Sequence, residues 1–183
     1  MANDALEQLV LVDENDRLIR ASGKLDAHRD GHLHRAFSIF LFDASGHTLL
    51  QRRADTKYHS RGKWANSCCG HPRPNERVDL AANRRLMEEL GVSSVLQKGF
   101  HARYRAELEN GMVENEFVHV FAGRSVADLN PDPSEVSECR HISLEGLKDD
   151  VARNPAPYAA WLVHYVQEHF DELTQLRRSC AAH

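Results

Sequence analysis

From His34 to Asp43 the chain reads His-Arg-Ala-Phe-Ser-Ile-Phe-Leu-Phe-Asp, an aromatic and branched run that ends at Ala44-Ser45-Gly46. Such a run closed by turn residues predicts a buried strand, and Thr48–Arg53 predicts its hairpin partner. Further along the period changes. Val78, Ala82, Leu86 and Leu90 fall near one face of a helix over Arg77–Leu90, while Arg85 and Glu89, four apart, share another. This helix buries one face and presents a charged one. Ala102–Arg105 and Met112–Ala122 flank Glu109-Asn110-Gly111, whose Asn-Gly pair suits a hairpin turn, so two more strands are predicted. Ser143 is positioned as the N-cap of a helix that stops before Asn154-Pro155, and Pro157 predicts the opening of a longer helix running to about Arg178. Strands mixed with helices predict the α/β (α+β) class, a mixed sheet core covered by helices rather than a bundle. No repeat, low-complexity tract or linker interrupts the chain, so a single domain over residues 1–183 is expected, with its core at about 24–178.

Composition narrows the partners. At 183 residues and 42% hydrophobic, the chain is long enough for one core of ordinary size. Its net charge of −4 supplies neither a basic field for nucleic acid nor a charged block for a membrane surface, so small diffusible partners are expected. The amino end, Met-Ala-Asn-Asp-Ala-Leu-Glu, has no apolar run of the secretory or membrane-spanning kind, and a cytoplasmic location is expected. Cys68 and Cys69 are adjacent while Cys139 and Cys180 stand singly, which reads as four thiols rather than a disulfide framework. The ending Cys180-Ala181-Ala182-His183 is a poor prenylation signal because His is not a usual terminal residue there. Nothing in the sequence specifies an oligomeric state.

The chemistry concentrates after Gly70. Five residues separate Gly70 from Glu76, seven more follow, and then comes Arg84-Arg85-Leu86-Met87-Glu88-Glu89-Leu90-Gly91-Val92. This spacing resembles the Nudix box, which gathers divalent cations around a diphosphate. Every defined position matches except Arg85, which stands where the box has a metal-binding glutamate. A guanidinium offers only donors where a carboxylate offers only acceptors, and its charge repels a second metal ion. The substitution predicts a diphosphate that is held while its hydrolysis is disfavoured. Without the box, Arg84 with Glu88 and Arg85 with Glu89 would be ordinary helix-surface pairs at i,i+4.

Beside the box lie Trp64-Ala65-Asn66-Ser67-Cys68-Cys69-Gly70-His71-Pro72 and, on a predicted strand, Glu114-Asn115-Glu116. Strand residues two apart share a side, so Glu114 projects with Glu116, and Cys69 with His71 if that piece is extended. Two carboxylates with a nearby imidazole form a candidate divalent-metal site. Cys68 points away as an ordinary small core residue. Together with Lys24, His28, Leu33-His34-Arg35-Ala36-Phe37-Ser38, Tyr104-Arg105-Ala106 and Trp161, these segments resemble the type I isopentenyl-diphosphate isomerase family, a Nudix-fold branch, from roughly Lys24 to Trp161.

That resemblance implies a Nudix-like fold and an isomerase interconverting isopentenyl and dimethylallyl diphosphate in isoprenoid biosynthesis. It implies Cys69 and Glu116 as the proton-transfer pair, with Tyr104 and Trp161 lining the reacting end. It implies His28, His34, His71, Glu114 and Glu116 as ligands of a divalent metal, which mixed imidazole and carboxylate ligands leave open among Mn2+, Zn2+ and Mg2+. Glu89 would serve a Mg2+ on the diphosphate, and Lys24, Arg53, Lys57 and Arg85 would contact the phosphates. His32 is the rival of His28; the resemblance favours His28 because Lys24 precedes it. His47, His59, His101, His119, His141, His164, His169 and His183 read as surface or core residues. The chain departs from relatives at Tyr58-His59-Ser60-Arg61-Gly62-Lys63-Trp64, where an aromatic and a proline often precede the glycine, which leaves the loop's shape and Lys57 open.

The chemistry explains these residue types. Moving a carbon–carbon double bond by protonation and deprotonation passes through an electron-poor tertiary centre, which needs a donor and an acceptor on either side of it. A thiol and a carboxylate can fill those roles, in an order the sequence does not give. Trp161 offers a π face to the cation, contributing about 1 to 2 kcal/mol where water is excluded. The competing reading is a Nudix hydrolase of a nucleoside or isoprenoid diphosphate, against which stand Arg85 and Cys69-Gly70-His71-Pro72. A non-catalytic diphosphate-binding relative is a third, opposed by the presence of Cys69, His71, Glu89, Glu114 and Glu116.

Overall fold

The alternation inside His34–Phe42 decides which layer each residue serves. The computed structural model describes residues 7–57, 59–108, 111–125 and 128–181. Along it run β1 (Gln8–Val12), β2 (Leu18–Gly23), α1 (Lys24–Asp30), β3 (His34–Phe42), β4 (Thr48–Arg53), β5 (Trp64–Asn66) and β6 (Cys68–Gly70). They are followed by α2 (Val78–Leu90), β7 (Gln97–Glu107), β8 (Val113–Arg124), β9 (Val136–Ile142), α3 (Leu144–Arg153), α4 (Ala160–Glu168) and α5 (Phe170–Ala181). Along β3, Ala36, Phe40 and Phe42 face a core shared with Leu162, Tyr165 and Val166 of α4. Phe37, Ile39 and Leu41 face the opposite side, against Ala82, Leu86 and Leu90 of α2. Burying each such aromatic or aliphatic side chain contributes about 1.5–3 kcal/mol, so a strand covered on both sides anchors both helical layers.

β3 is also the hub of the hydrogen bonding. β8 runs parallel to it from His34↔Glu116 to Phe42↔Arg124. The opposite edge is met in succession by β1 at His34, β6 at Phe37–Ile39 and β4 at Phe42, all antiparallel. β7 continues the sheet from β8, while β5 and β9 pair with β4. Among the described residues the nine strands make one mixed sheet, the class expected from the sequence.

Several elements depart from the pattern-based expectation. The β3–β4 hairpin is paired only at Phe42↔Thr48, because β6 takes the edge of β3 that a full hairpin would occupy. The helix expected from Pro157 to Arg178 is two helices that meet at His169, whose φ of −130° leaves the helical region. Pro157 does not open it. Trp64 N–H donates to the Pro157 carbonyl at 2.8 Å and Ala159 N–H to the Trp64 carbonyl at 2.8 Å, so this stretch is used as an extended partner of β5. β1 and β2, ahead of residue 24, join the sheet with Leu9 and Leu11 buried against Ala27. Leu18 and Ile19 of β2 are exposed, which erased any alternation there.

Local signals fared better where one atom carries them. The Ser143 hydroxyl accepts the Gly146 N–H at 3.0 Å, capping α3. Leu108 N–H reaches the Met112 carbonyl at 2.7 Å and closes β7 on β8; Glu109 and Asn110 of the expected turn lie outside the described residues. Gly91 of the box ends α2 in the left-handed region at φ 68°, with its N–H on the Met87 carbonyl. A Cβ there would come within 2.7 Å of the Asn130 carbonyl oxygen. Gly91→Ala is therefore expected to cost more than about 1 kcal/mol, from left-handed strain plus the clash. Ser143→Ala should cost about 1 kcal/mol from the lost cap. Urea denaturation of both variants checks the order.

Candidate active site

Register sets up the centre. His34 opens β3 directly opposite Glu116 of β8, and Glu114 sits two residues earlier on the same side of β8. His28 comes from the last turn of α1, and His71 follows β6. One ligand atom from each of His28, His34, His71 and Glu114 lies within 4.8 Å of the others, all four residues buried. His28 Nε2 is 3.3 Å from Glu114 Oε2, and Glu116 Oε1 is 3.0 Å from His71 Nε2 and 3.7 Å from His34 Nε2.

The imidazoles are turned for ligation. His28 Nδ1 meets the Lys24 carbonyl at 2.7 Å and His34 Nδ1 the His32 carbonyl at 2.9 Å. A carbonyl only accepts, so Nδ1 carries the hydrogen and Nε2 turns its lone pair inward. His34 Nε2 and Glu114 Oε2 are buried without a hydrogen-bond partner among the described residues. Leaving such atoms unmatched is costly, and a divalent cation would satisfy them. Burial, helped by His34 and Lys24, holds His71 well below the usual histidine range and so neutral. Burial opposes charge on His28 as well, but Glu114 outweighs it and raises that pKa. His32 stands apart at the surface, 3.8 Å from Asp30.

Next to this cluster lies a cavity of about 320 Å³. Cys69, Glu116 and Trp161 line it, as do Lys24, Arg53, Lys57, Arg85 and Glu89. Cys69 pairs with Ser38 across the β3–β6 ladder, while Cys68 is buried on the α2 side. Burial pushes the Cys69 thiol up to about 12, with Glu89 and Glu116 adding to the shift against the Ser38 hydrogen bond. Tyr104 lies opposite Glu116 in the β7–β8 register, buried, and its hydroxyl has no partner among the described residues. The Arg53 guanidinium lies 5.2 Å from the centre of the Trp161 ring. Gly70 is required by close packing, since a Cβ would meet Phe37 Cζ at 3.0 Å and Arg85 Cγ at 3.3 Å.

The cations are held by carboxylates. Lys24 Nζ is 2.7 Å from Glu7, and Lys57 Nζ is 2.6 Å from Glu135. Arg85 reaches Glu88 at 2.8 Å, Glu135 at 3.3 Å and also Glu89, whose second oxygen accepts from Gln51 Nε2 at 2.9 Å. Arg85 is thus part of the cavity wall rather than of a solvated helix face. Arg84 clasps Glu76 at 2.8 Å and Glu88 at 3.2 Å, tying the first glutamate of the box to its helix.

A NUDIX domain profile matches residues 32–162. The chain is 49% identical over 156 residues to isopentenyl-diphosphate Delta-isomerase 1 of Aromatoleum aromaticum, covering 85% of this chain and 88% of that protein. It is 47% identical over 155 residues to the isopentenyl-diphosphate Delta-isomerase of Burkholderia multivorans, covering 85% and 88%. The chain belongs to the isopentenyl-diphosphate Delta-isomerase family of NUDIX proteins. Solved structures agree on the fold: a Deinococcus radiodurans protein superposes with a TM-score of 0.74 at 21% identity over 88% of this chain and 98% of that one. A MutT NUDIX hydrolase from Burkholderia pseudomallei gives 0.59 at 17% identity over 75% and 98%. At those identities only the fold is common ground.

Among this family member's histidines, His59 corrects the expectation of an ordinary surface or core residue. It lines the cavity with Nε2 3.4 Å from Glu114 Oε1, and its ring stands edge-on to Trp161 at 5.9 Å. Burial, together with Arg53, lowers its pKa to about 3. Gln51 of β4, Asn66 of β5 and Glu135, which precedes β9, also contact site residues. Asn66 stands in the run that leads to Cys69, whereas Gln51 and Glu135 carry no spacing signal and are brought in only by tertiary packing against α2. Tyr58 and His183 lie outside the described residues.

Two outcomes are expected. His28→Ala should lose bound divalent metal on dialysis while His32→Ala retains it, as measured by elemental analysis. Because the thiol pKa is raised, the reactive thiolate fraction should keep growing tenfold per pH unit beyond the ordinary thiol value of about 8.5. Iodoacetamide labelling of Cys69 should therefore still be accelerating at high pH; a plateau near the ordinary value would contradict the burial effect.

Proposed function

We propose that this chain interconverts isopentenyl and dimethylallyl diphosphate by adding a proton at one alkene carbon and removing one from another, a step of isoprenoid biosynthesis. The observation that carries it is the coincidence of Cys69 and Glu116 on one cavity that Lys57 and Arg85 also line. The thiol and the carboxylate are the proton-transfer pair, and Tyr104, opposite Glu116 in the β7–β8 register, lines the reacting end. Trp161 faces the cationic centre with a π surface, and the shelter from water keeps that centre from being trapped. Lys24, Arg53, Lys57 and Arg85, which line the same cavity, grip the diphosphate, which does not react; its binding energy positions the alkene.

The ligand set His28, His34, His71, Glu114 and Glu116 suits Mn2+, Zn2+ or Mg2+. When bound, the metal supplies positive charge that orients Glu116 and favours its ionised form. Glu89 is assigned to a Mg2+ carried by the diphosphate. Four free thiols fit a reducing compartment, the cytoplasm. Among the described residues no helix is long and apolar enough to cross a membrane. The lining chemistry fits a small isoprenoid diphosphate rather than nucleic acid.

Incubation with isopentenyl diphosphate and metal in heavy water is expected to put deuterium into substrate and product and to accumulate dimethylallyl diphosphate. Release of orthophosphate without isomerisation would point to a hydrolase instead. Cys69→Ala and Glu116→Gln should each lower kcat by at least about 100-fold, the usual loss of an acid or base, with diphosphate binding retained. Full turnover in either variant would remove that residue from the pair.

A further inference from the structure

The Cys69 thiol sits in a chain of hydrogen bonds whose directions are fixed by the atoms around it. Asn66 is fully buried, and its Nδ2 lies 3.0 Å from the Ile39 carbonyl and 3.2 Å from the Cys68 carbonyl. Two acceptors on that side settle the amide orientation: the NH2 must face them, and Oδ1 must face the other way. Cys69 Sγ lies 3.0 Å from that oxygen. An amide oxygen only accepts, so the one thiol hydrogen is donated to Asn66.

The same logic runs upstream. Ser38 Oγ is 3.4 Å from Cys69 Sγ, and Tyr165 donates its hydroxyl to Ser38 Oγ at 2.9 Å. With the S–H hydrogen committed to Asn66, the hydrogen between Ser38 and Cys69 must come from Ser38. The order is Tyr165 to Ser38 to Cys69 to Asn66, with each of the first three groups donating once. Register supports it: Ser38 and Cys69 are directly paired across β3 and β6, so their separation is set by the ladder and not by flexible side chains. Tyr165 is buried on α4 against Phe40, their ring centres 5.6 Å apart, so its hydroxyl is held in place by packing.

We propose that Asn66, Ser38 and Tyr165 are positioning residues for the Cys69 thiol. Asn66 aims the resting S–H, and Ser38, oriented by Tyr165, donates to sulfur whether or not the sulfur holds its proton. This rests on the assignment of Cys69 to proton transfer. Asn66 stabilises only the protonated sulfur, whereas the Ser38 donation strengthens as charge builds on sulfur. Ser38 therefore acts on the proton-transfer step and not on substrate binding, and it is not among the residues that line the cavity.

The first test uses the unmodified protein. The infrared S–H stretch of Cys69, isolated by subtracting the Cys69→Ala spectrum, is expected at the lowered frequency of a hydrogen-bonded thiol; a free-thiol frequency overturns the order of donors. This readout stands even if Cys69→Ala retains turnover, a result that would sink the functional assignment instead. The second test is Ser38→Ala, expected to lower kcat about tenfold, the size of one charge-assisted hydrogen bond, with KM within about twofold, while Ser38→Thr restores most of kcat. Tyr165→Phe should lower kcat in the same direction by less. Unchanged kcat in folded Ser38→Ala, or a rise confined to KM, overturns the positioning role.

Discussion

β3 is paired along one edge with β8 and along the other with β1, β6 and β4 in succession. From that double pairing the site follows. The β8 register puts Glu116 opposite His34, and the β6 register puts Cys69 opposite Ser38 four residues further on. Strand pleat sends alternate residues to opposite faces, so Ala36, Ser38 and Phe40 share the layer of α4 with Cys69, and Phe37 and Ile39 the layer of α2 with Cys68. A slip of one residue in either ladder would turn the thiol or the carboxylate away from the cavity. The apolar residues on both faces of β3 hold that register, since a slip would expose Phe37 or Phe40 to the wrong layer.

Charge within the cavity is nearly balanced before any ligand enters. Six basic and six acidic side chains line it, and the contacts pair Lys24 with Glu7, Lys57 with Glu135, and Arg85 with Glu88, Glu89 and Glu135. A diphosphate therefore adds negative charge to a wall with no net surplus of positive charge. Under the proposed function a divalent cation entering with the diphosphate would offset that charge, and the carboxylates around Lys57 and Arg85 would be the groups at hand to hold it. On that proposal Arg85 in place of a box glutamate has a physical meaning: it would supply a fixed cation and a donor fork for phosphate oxygens without offering a site for the second metal of hydrolysis.

Much of this was legible because certain signals act locally or at fixed spacing. The apolar stripe of α2, the Ser143 cap, the alternation that separates Cys68 from Cys69, and the box from Gly70 to Val92 each depend on a few neighbouring residues, and all appear where expected. The resemblance added His28, His34 and Tyr104, which periodicity alone could not distinguish from core or surface residues. Elements governed by distant partners were not legible. The stretch from Pro157 to Ala159 looks like a helix opening, yet it is spent on the backbone of Trp64; β5 and β6 are three residues long and carry no pattern of their own. His59 was invisible for the same reason, since its place beside Glu114 and Trp161 depends on how a loop folds back.

By itself, then, the sequence determined the fold class and the family and named the candidate side chains, because hydrophobic period, capping atoms and motif spacing are properties of short stretches of chain. The tertiary structure decided which of those side chains meet. It buried His28 against Glu114 and left His32 beside Asp30 at the surface. It turned Arg85 from a surface partner of Glu89 into a wall of the cavity shared with Glu135, a residue 50 positions away. It also fixed the direction of the hydrogen bond on Cys69, through two carbonyls that orient Asn66. Contacts of this kind depend on strand register and loop closure, which are set by the packing of the whole sheet rather than by any local run of residues.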